Sequence, residues 1–322
     1  MSQPSWLSEL FDPTPFLCSD GMLRSQKLAS TDQEQTSNSF DYKWKRRETF
    51  DSEASRARMR AWLIERYGDV AGAGWWADYG ERPLVVDAGC GAGLSALELF
   101  GKRLAEVRFL GVDISEAVDV AATRFAERGI EAAFMQADLT ELPLAEGSVD
   151  VIFSEGVLHH TDSTEGALRA LAPLLRTGGR FLFYVYRKKG PIREFCDDYI
   201  RDRLGDMEPQ AAWDAVMPLT RLGALLGDLE IELDIPEAID LLEIPAGKIN
   251  LQRLFYWHVF KAFHHPDLSI DEMNHINFDW YAPANAHRQT AEQLRSWCDE
   301  AGLDVEREIV QEAGITIIAR KR

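Results

Sequence analysis

Cysteine pairs, long apolar runs and clustered positive charge are all scarce in this sequence of 322 residues. The four cysteines, at positions 18, 90, 196 and 298, form no C-x-x-C pair, so we expect neither a disulfide framework nor a paired-cysteine metal site. No apolar run approaches the length of a membrane span, and the first residues lack the basic start and apolar centre of a signal peptide. These absences predict a cytoplasmic protein without membrane contact.

Positive charge is also in short supply, because 35 lysines and arginines face 53 aspartates and glutamates, for a formal net charge of −18. Phosphate contacts supply most of the affinity for nucleic acids and need clustered basic side chains, so we expect no nucleic-acid partner. Two short basic runs, at 43–47 and 187–189, are exceptions. Each basic run could simply be a stretch of charged side chains exposed to solvent. Alternatively, Arg187 or Lys188 could hold a small anionic substrate.

What the sequence does contain is a buried strand that runs directly into a loop almost without side chains. The apolar residues 84–86 suit a parallel strand covered on both faces. Gly89, Gly91 and Gly93 leave the loop backbone open to close approach by a ligand. Their spacing differs from the G-x-G-x-x-G of dinucleotide-binding proteins. Asp87, just before the loop, disfavours a pyrophosphate and favours a cationic ligand.

Further strand candidates follow in the alternation with helices that a doubly wound fold requires. The strand at 107–112 ends at Asp113, twenty positions after the last glycine, where such folds place an acidic residue that accepts both ribose hydroxyls. Asp138 follows the next apolar segment, and the strand at 148–154 runs into a loop. The segment 171–186 predicts a helix, a Gly-Gly turn and a fifth strand.

The D-x-G-x-G-x-G pattern of residues 87–93 resembles motif I of the class I S-adenosylmethionine-dependent methyltransferases, in particular the small-molecule enzymes of the methyltransferase type 11 group. The resemblance implies an α/β fold with a doubly wound, seven-stranded, mostly parallel Rossmann-like sheet, and S-adenosyl-L-methionine as cofactor. In this family the residue matching Asp138 binds the adenine amino group. The positions that the resemblance assigns to the cofactor are Asp87, Gly89, Gly91, Gly93, Asp113, Ile114, Asp138, Leu139, Ser154 and Glu155.

The resemblance also places the loop after the fourth strand beside the transferred methyl group. Glu155 could stabilise the sulfonium and accept a proton from the acceptor, and Tyr186 could present its ring to the sulfonium. His159 or His160 could serve as a general base, although capping or packing is the expected role of one of them. Strand ends also carry ordinary packing and capping residues, so all four are candidates for catalysis rather than assignments.

The chain divides into four segments on this interpretation. Residues 1–80 form an N-terminal segment with cap helices, and 81–189 the first part of the cofactor-binding core. Residues 190–288 form a helical substrate lid inserted after the fifth strand, because a plain loop of that length is uncommon. Residues 289–322 complete the core with the last helix and a C-terminal hairpin.

Local patterns refine this division. The polar residues 24–40 predict a mobile segment, whereas residues 54–67 predict an amphipathic helix capped near Ser52. Five of the seven histidines lie between positions 258 and 287, but their spacing suits no common ligand set, so we expect no metal. Helical periodicity within the insertion predicts helices at 199–204, 211–226 and 251–263.

The function that the resemblance implies is transfer of a methyl group from S-adenosylmethionine to a small, possibly anionic molecule in small-molecule metabolism. Two alternatives stay open. The chain could use S-adenosylmethionine for non-methyl chemistry, such as an intramolecular cyclisation or a lyase reaction, or it could bind the cofactor without catalysis. The sequence is compatible with a monomer or a homodimer.

Overall fold

The computed structural model describes residues 4–11, 16–19, 22–25, 30–46 and 49–322. Its α-helices are α1 Thr31–Lys45, α2 Glu53–Tyr67, α3 Leu94–Phe100, α4 Ala117–Glu127, α5 Thr164–Leu171, α6 Pro191–Leu204, α7 Pro209–Asp228, α8 Leu251–His258, α9 Ile270–Tyr281 and α10 Ala291–Glu300. Its strands are β1 Leu17–Ser19, β2 Met22–Arg24, β3 Leu84–Ala88, β4 Arg108–Asp113, β5 Ala133–Gln136, β6 Val149–Glu155, β7 Leu175–Tyr186, β8 Glu232–Ile235, β9 Gly247–Asn250, β10 Leu303–Val310 and β11 Gly314–Lys321.

Nine of the strands in the described part of the chain form one sheet, in the order β1-β2-β5-β4-β3-β6-β7-β11-β10. Strands β3 to β7 are parallel, and β11 lies antiparallel between β7 and β10. With β10 and β11 they make up the seven-stranded, mostly parallel sheet that the sequence predicts, and this prediction is confirmed. The β1–β2 hairpin, which was not predicted, extends the sheet beyond β5.

Helices cover both faces of the sheet, which is why its central strands are almost entirely apolar. Every residue of β3 is buried. Successive side chains point to opposite faces, so Val85 packs with α2, α3 and α4, whereas Val86 packs with α5 and α10. With both faces covered, the carboxyl edge of the sheet is where a ligand can approach the strands.

Helix α1 departs from expectation. The polar composition of 24–40 predicts a mobile segment, and this is wrong where α1 begins; residues 26–29 of that range lie outside the described residues. The polar side chains of α1 are buried against distant parts of the chain, as when Gln33 Nε2 donates to the carbonyl oxygen of His160. Composition cannot reveal such partners, because they come from tertiary structure.

The insertion between β7 and α10 contains helices α6 to α9 and the hairpin β8–β9. Helix α7 contains the predicted helix 211–226, and α6 includes the predicted 199–204. The predicted helix 251–263 ends early, because the backbone leaves the helical conformation at Val259. The hairpin was missed although β8 alternates between exposed polar and partly buried apolar residues; each of its two strands is only four residues long, so the alternation is short.

The remaining predicted elements are present. Helix α2 begins after Ser52, whose hydroxyl accepts from the Ser55 N–H. Helix α10 begins at a capping box between Thr290 and Gln293 and leads into the β10–β11 hairpin. None of the described helices combines the length and the apolar composition that a membrane crossing requires.

Candidate functional site

The candidate site is a cavity of about 610 Å³ at the carboxyl edge of the sheet. Its floor is formed by residues at the ends of β3 to β7, and its walls come from α1, α2 and the insertion. A cavity of this size suits a cofactor and a small second molecule. Because three separate segments close over one edge of the sheet, the site is assembled from most of the chain.

The glycine loop lies between β3 and α3 with little room for side chains. Gly89 and Gly91 have φ of 88° and 49°, values that favour glycine. A Cβ at Gly89 would lie 2.2 Å from Val157, and one at Gly91 would lie 3.1 Å from the indole of Trp44 on α1. The glycines are therefore required both by the turn and by the close approach of neighbouring segments.

Asp113 at the end of β4 is fixed beside this loop. Its Oδ2 accepts from the Gly91 N–H at 2.7 Å, and its Oδ1 accepts from the N–H and the hydroxyl of Ser115. Burial raises the pKa of Asp113, while these donors oppose the rise. The carboxylate is thus oriented before any ligand arrives, and Oδ2, which accepts only one hydrogen bond, retains a lone pair.

Asp87 at the inner end of β3 is buried, and its Oδ2 has no hydrogen-bond partner among the described residues. Burial raises the pKa of Asp87 well above its ordinary value, and the nearby carboxylates of Asp113 and Glu155 add to the effect. A buried carboxyl group without a partner is costly. A cationic group in the cavity would supply the missing partner.

Asp138, Leu139 and Ile114 line the same part of the cavity. Asp138 also caps a short helical turn, since its Oδ1 accepts from the N–H and the hydroxyl of Thr140. Ser154 does not line the cavity; its hydroxyl donates to the carbonyl oxygen of Ala88 at 2.8 Å and joins β6 to β3. The Ser154 hydroxyl thus has a structural partner, and its contact with a cofactor stays a prediction.

Glu155, a predicted catalytic residue, is already engaged on both oxygens. Oε1 forms an ion pair with Arg66 of α2, and Oε2 accepts from the Tyr67 hydroxyl at 2.5 Å. Arg66 is fully buried, with its guanidinium 3.7 Å from the ring centre of Trp62 and 3.5 Å from that of Tyr184. Burial raises the pKa of Glu155, and Arg66 opposes the rise. A carboxylate held in this way is poorly placed to act as a base.

The two adjacent histidines differ in position. His159 is buried behind Tyr186, with ring centres 3.7 Å apart, and does not line the cavity. His160 lines it, and its Nδ1 donates to the carbonyl oxygen of Asn285 at 2.6 Å. Burial lowers the pKa of His160 to about 4. With Nδ1 as donor, the neutral ring has its lone pair on Nε2.

Tyr186 at the end of β7 is linked to α1 and α9. Its hydroxyl donates to Asp279 Oδ2 at 3.0 Å, and Asp279 Oδ1 forms an ion pair with Lys43. Burial raises the pKa of Tyr186 well above its ordinary value. Lys43 and Asp279 were not assigned from the sequence, because only the fold brings together two residues so far apart along the chain.

The predicted anion-binding residues Arg187 and Lys188 are exposed and do not line this cavity, and their role stays a prediction. The chain leaves the sheet after Tyr186, and the next two side chains point into solvent. The next residue, Lys189, lines the cavity, and its Nζ donates to the carbonyl oxygens of Glu312 and Ala313. In the other basic run, Lys43 is the buried member, and Arg47 lies outside the described residues.

Comparison with known proteins gives one family match, in which residues 86–183 correspond to a methyltransferase domain. Over 127 residues the chain is 37% identical to the uncharacterized methyltransferase YcgJ of Bacillus subtilis, covering 38% of this chain and 48% of that protein. It is 33% identical over 116 residues to the probable tRNA methyltransferase 9B of Mus musculus, covering 35% of this chain and 24% of that protein.

A solved structure of Burkholderia thailandensis 1,6-didemethyltoxoflavin-N1-methyltransferase, with its substrate and S-adenosylhomocysteine bound, aligns with a TM-score of 0.46 at 17% identity, over 92% of each chain. The match to the curated relatives spans about half of the Bacillus protein and about a quarter of the mouse protein. The family match extends from β3 into β7 and so contains the glycine loop, Asp113 and Asp138.

Proposed function

Since residues 86–183 are a methyltransferase domain of the class I S-adenosylmethionine-dependent family, we propose that the chain transfers a methyl group from S-adenosylmethionine to a small molecule held in the cavity. The observation that carries the proposal is the unpartnered carboxyl oxygen of Asp87. It lines one cavity with the glycine loop and Asp113. A cation is the ligand that such a carboxyl group requires.

Each part of the cofactor has a fitting partner among the residues that line the cavity. Asp113 would accept from the ribose hydroxyls, with the lone pair that Gly91 leaves free on Oδ2. Asp138 would accept from the adenine amino group, with Ile114 and Leu139 against the ring. Asp87 would face the cationic end, and the bare glycine backbone would admit the ligand closely.

The chemistry of methyl transfer asks for alignment and a dry site more than for acid–base groups. When bound, S-adenosylmethionine supplies an electrophilic methyl carbon. Glu155 would act through Arg66, holding the wall of Trp62 and Tyr184 in place, and not as a base. Tyr186 would shape the acceptor side. His160 has a lone pair on Nε2 in the tautomer that bonds Asn285, but with its pKa lowered to about 4 it would be only a weak proton acceptor.

We propose that residues 190–288 act as a lid over the acceptor, together with α1. Their helices line the cavity opposite the strand ends, and α1 lies over the glycine loop through Trp44. A cofactor in this position would be enclosed, so its exchange would require movement of α1 or of the insertion. Such closure would exclude water from the sulfonium.

The proposal is tested by incubating the purified chain with S-adenosylmethionine, with and without a fractionated small-molecule extract, and identifying products by mass spectrometry. We expect S-adenosylhomocysteine and a methylated compound only when extract is present. Methylthioadenosine formed from the cofactor alone would establish the non-methyl alternative. Binding without turnover across all fractions would support the non-catalytic alternative, and no binding at all would refute the cofactor assignment.

A further inference from the structure

The lid end of the cavity is built around Trp280 of α9. Its indole is buried and packs against Tyr186, with ring centres 4.3 Å apart. The cavity therefore continues from the strand ends to this indole without a break in its aromatic lining. Tyr256 and Trp257 of α8 line the same end. A flat apolar molecule would find ring surfaces on several sides here.

Four cationic side chains surround the indole of Trp280. So many like charges around one buried ring are unusual. Their charged groups lie 4.8 Å (Lys261), 5.0 Å (Arg201), 5.2 Å (Arg193) and 5.6 Å (Lys189) from the ring centre. Each distance suits a cation–π contact. However, four like charges around one ring also repel one another, and burial strengthens that repulsion.

Three of these cations have partners that stabilise them. Arg193 forms a buried ion pair with Asp197, with Nε and Oδ2 2.7 Å apart. Arg201 lies 3.6 Å from Asp198 and donates to a backbone carbonyl oxygen, and Lys189 donates to two carbonyl oxygens. Carbonyl oxygens solvate an ammonium group but do not neutralise it. Burial accordingly lowers the pKa of Lys189 well below its ordinary value, and Arg193 adds to the fall, so positive charge in this cluster is costly unless an anion balances it.

Lys261 has no such partner. The residue is 6% exposed, and among the described residues it forms no ion pair and only one hydrogen bond, which its backbone N–H donates to the Tyr281 hydroxyl. The oxygens of Asp279, the carboxylate with the largest effect on it, are engaged by Lys43 and Tyr186. Burial lowers the pKa of Lys261 to about 7, with Arg193 adding to the fall. A buried cation without a counter-charge is costly, so an incoming anion would be stabilised here.

We propose that Lys261, with Lys189 and the face of Trp280, forms a subsite for the carboxylate of a small aromatic acid, and that this acid is the methyl acceptor. A single free ammonium beside ring surfaces suits one carboxylate on a flat body. A phosphate would call for bidentate guanidinium donors, and Arg193 is already paired with Asp197. The acceptor role rests on the proposed function, whereas the anion subsite does not.

The test is calorimetric titration of the full chain with benzoate and with benzamide, its neutral counterpart of the same shape, with and without S-adenosylhomocysteine. We expect benzoate to bind at least tenfold more tightly than benzamide. Lys261→Met should remove at least tenfold of the benzoate affinity, while the affinity for S-adenosylhomocysteine stays within twofold. Lys248→Met, a change of the same kind at an exposed position on β9, is the matched control and should alter neither affinity.

Equal affinity for benzoate and benzamide, no binding of benzoate, or unchanged binding in folded Lys261→Met would overturn the subsite. Inorganic phosphate binding as tightly as benzoate would overturn the aromatic acid as its occupant. The comparison of the two probes uses the wild-type chain, so it decides the matter even if the variant does not fold. Benzoate binding without S-adenosylhomocysteine binding would refute the proposed function and leave the subsite standing.

Discussion

At the scale of single residues, the two sides of the cavity carry opposite unbalanced charges. On the cofactor side, carboxylates outnumber the cations that could pair with them, and on the lid side cations outnumber the carboxylates. Asp87 has an oxygen with no partner among the described residues, and Lys261 has an ammonium in the same situation. Neither group is stabilised by the fold alone. We interpret both as positions where a ligand completes the charge balance, so substitutions there should affect binding and stability in opposite directions.

The first residue-scale prediction concerns Asp113. Replacing it with Asn removes a charged acceptor from the ribose hydroxyls, which should cost about 2–3 kcal/mol, or roughly 30–150-fold in affinity for S-adenosylmethionine. Calorimetric titration measures the change. Asp119→Asn is the control and should leave the affinity unchanged, because Asp119 lies on α4, is partly exposed and forms an ion pair with Arg24 of β2. Equal affinities for the two variants would show that Asp113 does not contact the cofactor.

A second residue-scale prediction concerns the stability cost of Lys261. The pKa of Lys261 is lowered to about 7 in the folded chain, from an ordinary value of 10.5 that applies to the unfolded chain. Between these two pH values the unfolded chain binds more protons than the folded chain, so the free energy of unfolding rises with pH. Below pH 7 the full cost is present. Lys261→Met should therefore raise the free energy of unfolding by about 1–3 kcal/mol at pH 6, and by less at pH 10.

Urea unfolding at the two pH values checks this expectation. Lys248→Met again serves as the control, because its ammonium is largely exposed and should contribute little at either pH. A gain for Lys261→Met that is as large at pH 10 as at pH 6 would mean that the effect comes from packing, not from the buried charge.

At the scale of secondary-structure elements, the position of helix α1 determines whether the site is open or closed. It lies over the glycine loop through Trp44 and is held to α9 by the buried ion pair between Lys43 and Asp279. Removing one partner of a buried pair leaves the other charge uncompensated, and this usually costs more than the pair itself contributes. The pair is thus a point at which closure can be weakened selectively.

We predict that Lys43→Met loosens α1. The variant should lose about 2–4 kcal/mol of stability, become more sensitive to proteolysis within residues 30–46, and release S-adenosylmethionine at least fivefold faster. Limited proteolysis and stopped-flow dissociation are the measurements. Lys45→Met, on the same helix but with an exposed ion pair to Glu116, should behave like the wild type. Equal protease sensitivity of the two variants would contradict the prediction.

Prediction from the sequence succeeded for elements whose pattern is local. The strand and glycine loop at 84–93 and the capped helix α10 carry their own signals in adjacent residues. Helix α1 was missed because polar side chains such as Gln33 are buried only through partners from other segments. For the same reason Arg66 was not foreseen as the partner of Glu155.

Net charge acts at the scale of the whole molecule. The formal charge of −18 repels a polyanion at long range. Of the cations around Trp280, Arg193 and Lys261 are buried and cannot contact an extended phosphate backbone. The similarity to a probable tRNA methyltransferase covers only 35% of this chain. We therefore expect the acceptor to be a molecule that enters the cavity entirely.

The whole-molecule prediction is that transfer RNA is not an acceptor. Bulk transfer RNA incubated with the chain and S-adenosylmethionine at low salt should give no S-adenosylhomocysteine above background and no shift in gel mobility. The same preparation must bind the cofactor in a parallel titration, which controls for inactive protein. Formation of S-adenosylhomocysteine that depends on RNA would overturn this expectation.

The pairing of Lys43 with Asp279 also bears on how the chain is made on the ribosome. Helix α1 is synthesised before α9, and the residue that holds it in place follows 236 positions after Lys43. At a translation rate of about 5–20 residues per second, roughly 10–50 s pass between the two. During that interval the glycine loop and the central strands can form while their cover has no anchor. The nascent protein should therefore have an accessible cofactor edge, which closes only after α9 has been synthesised.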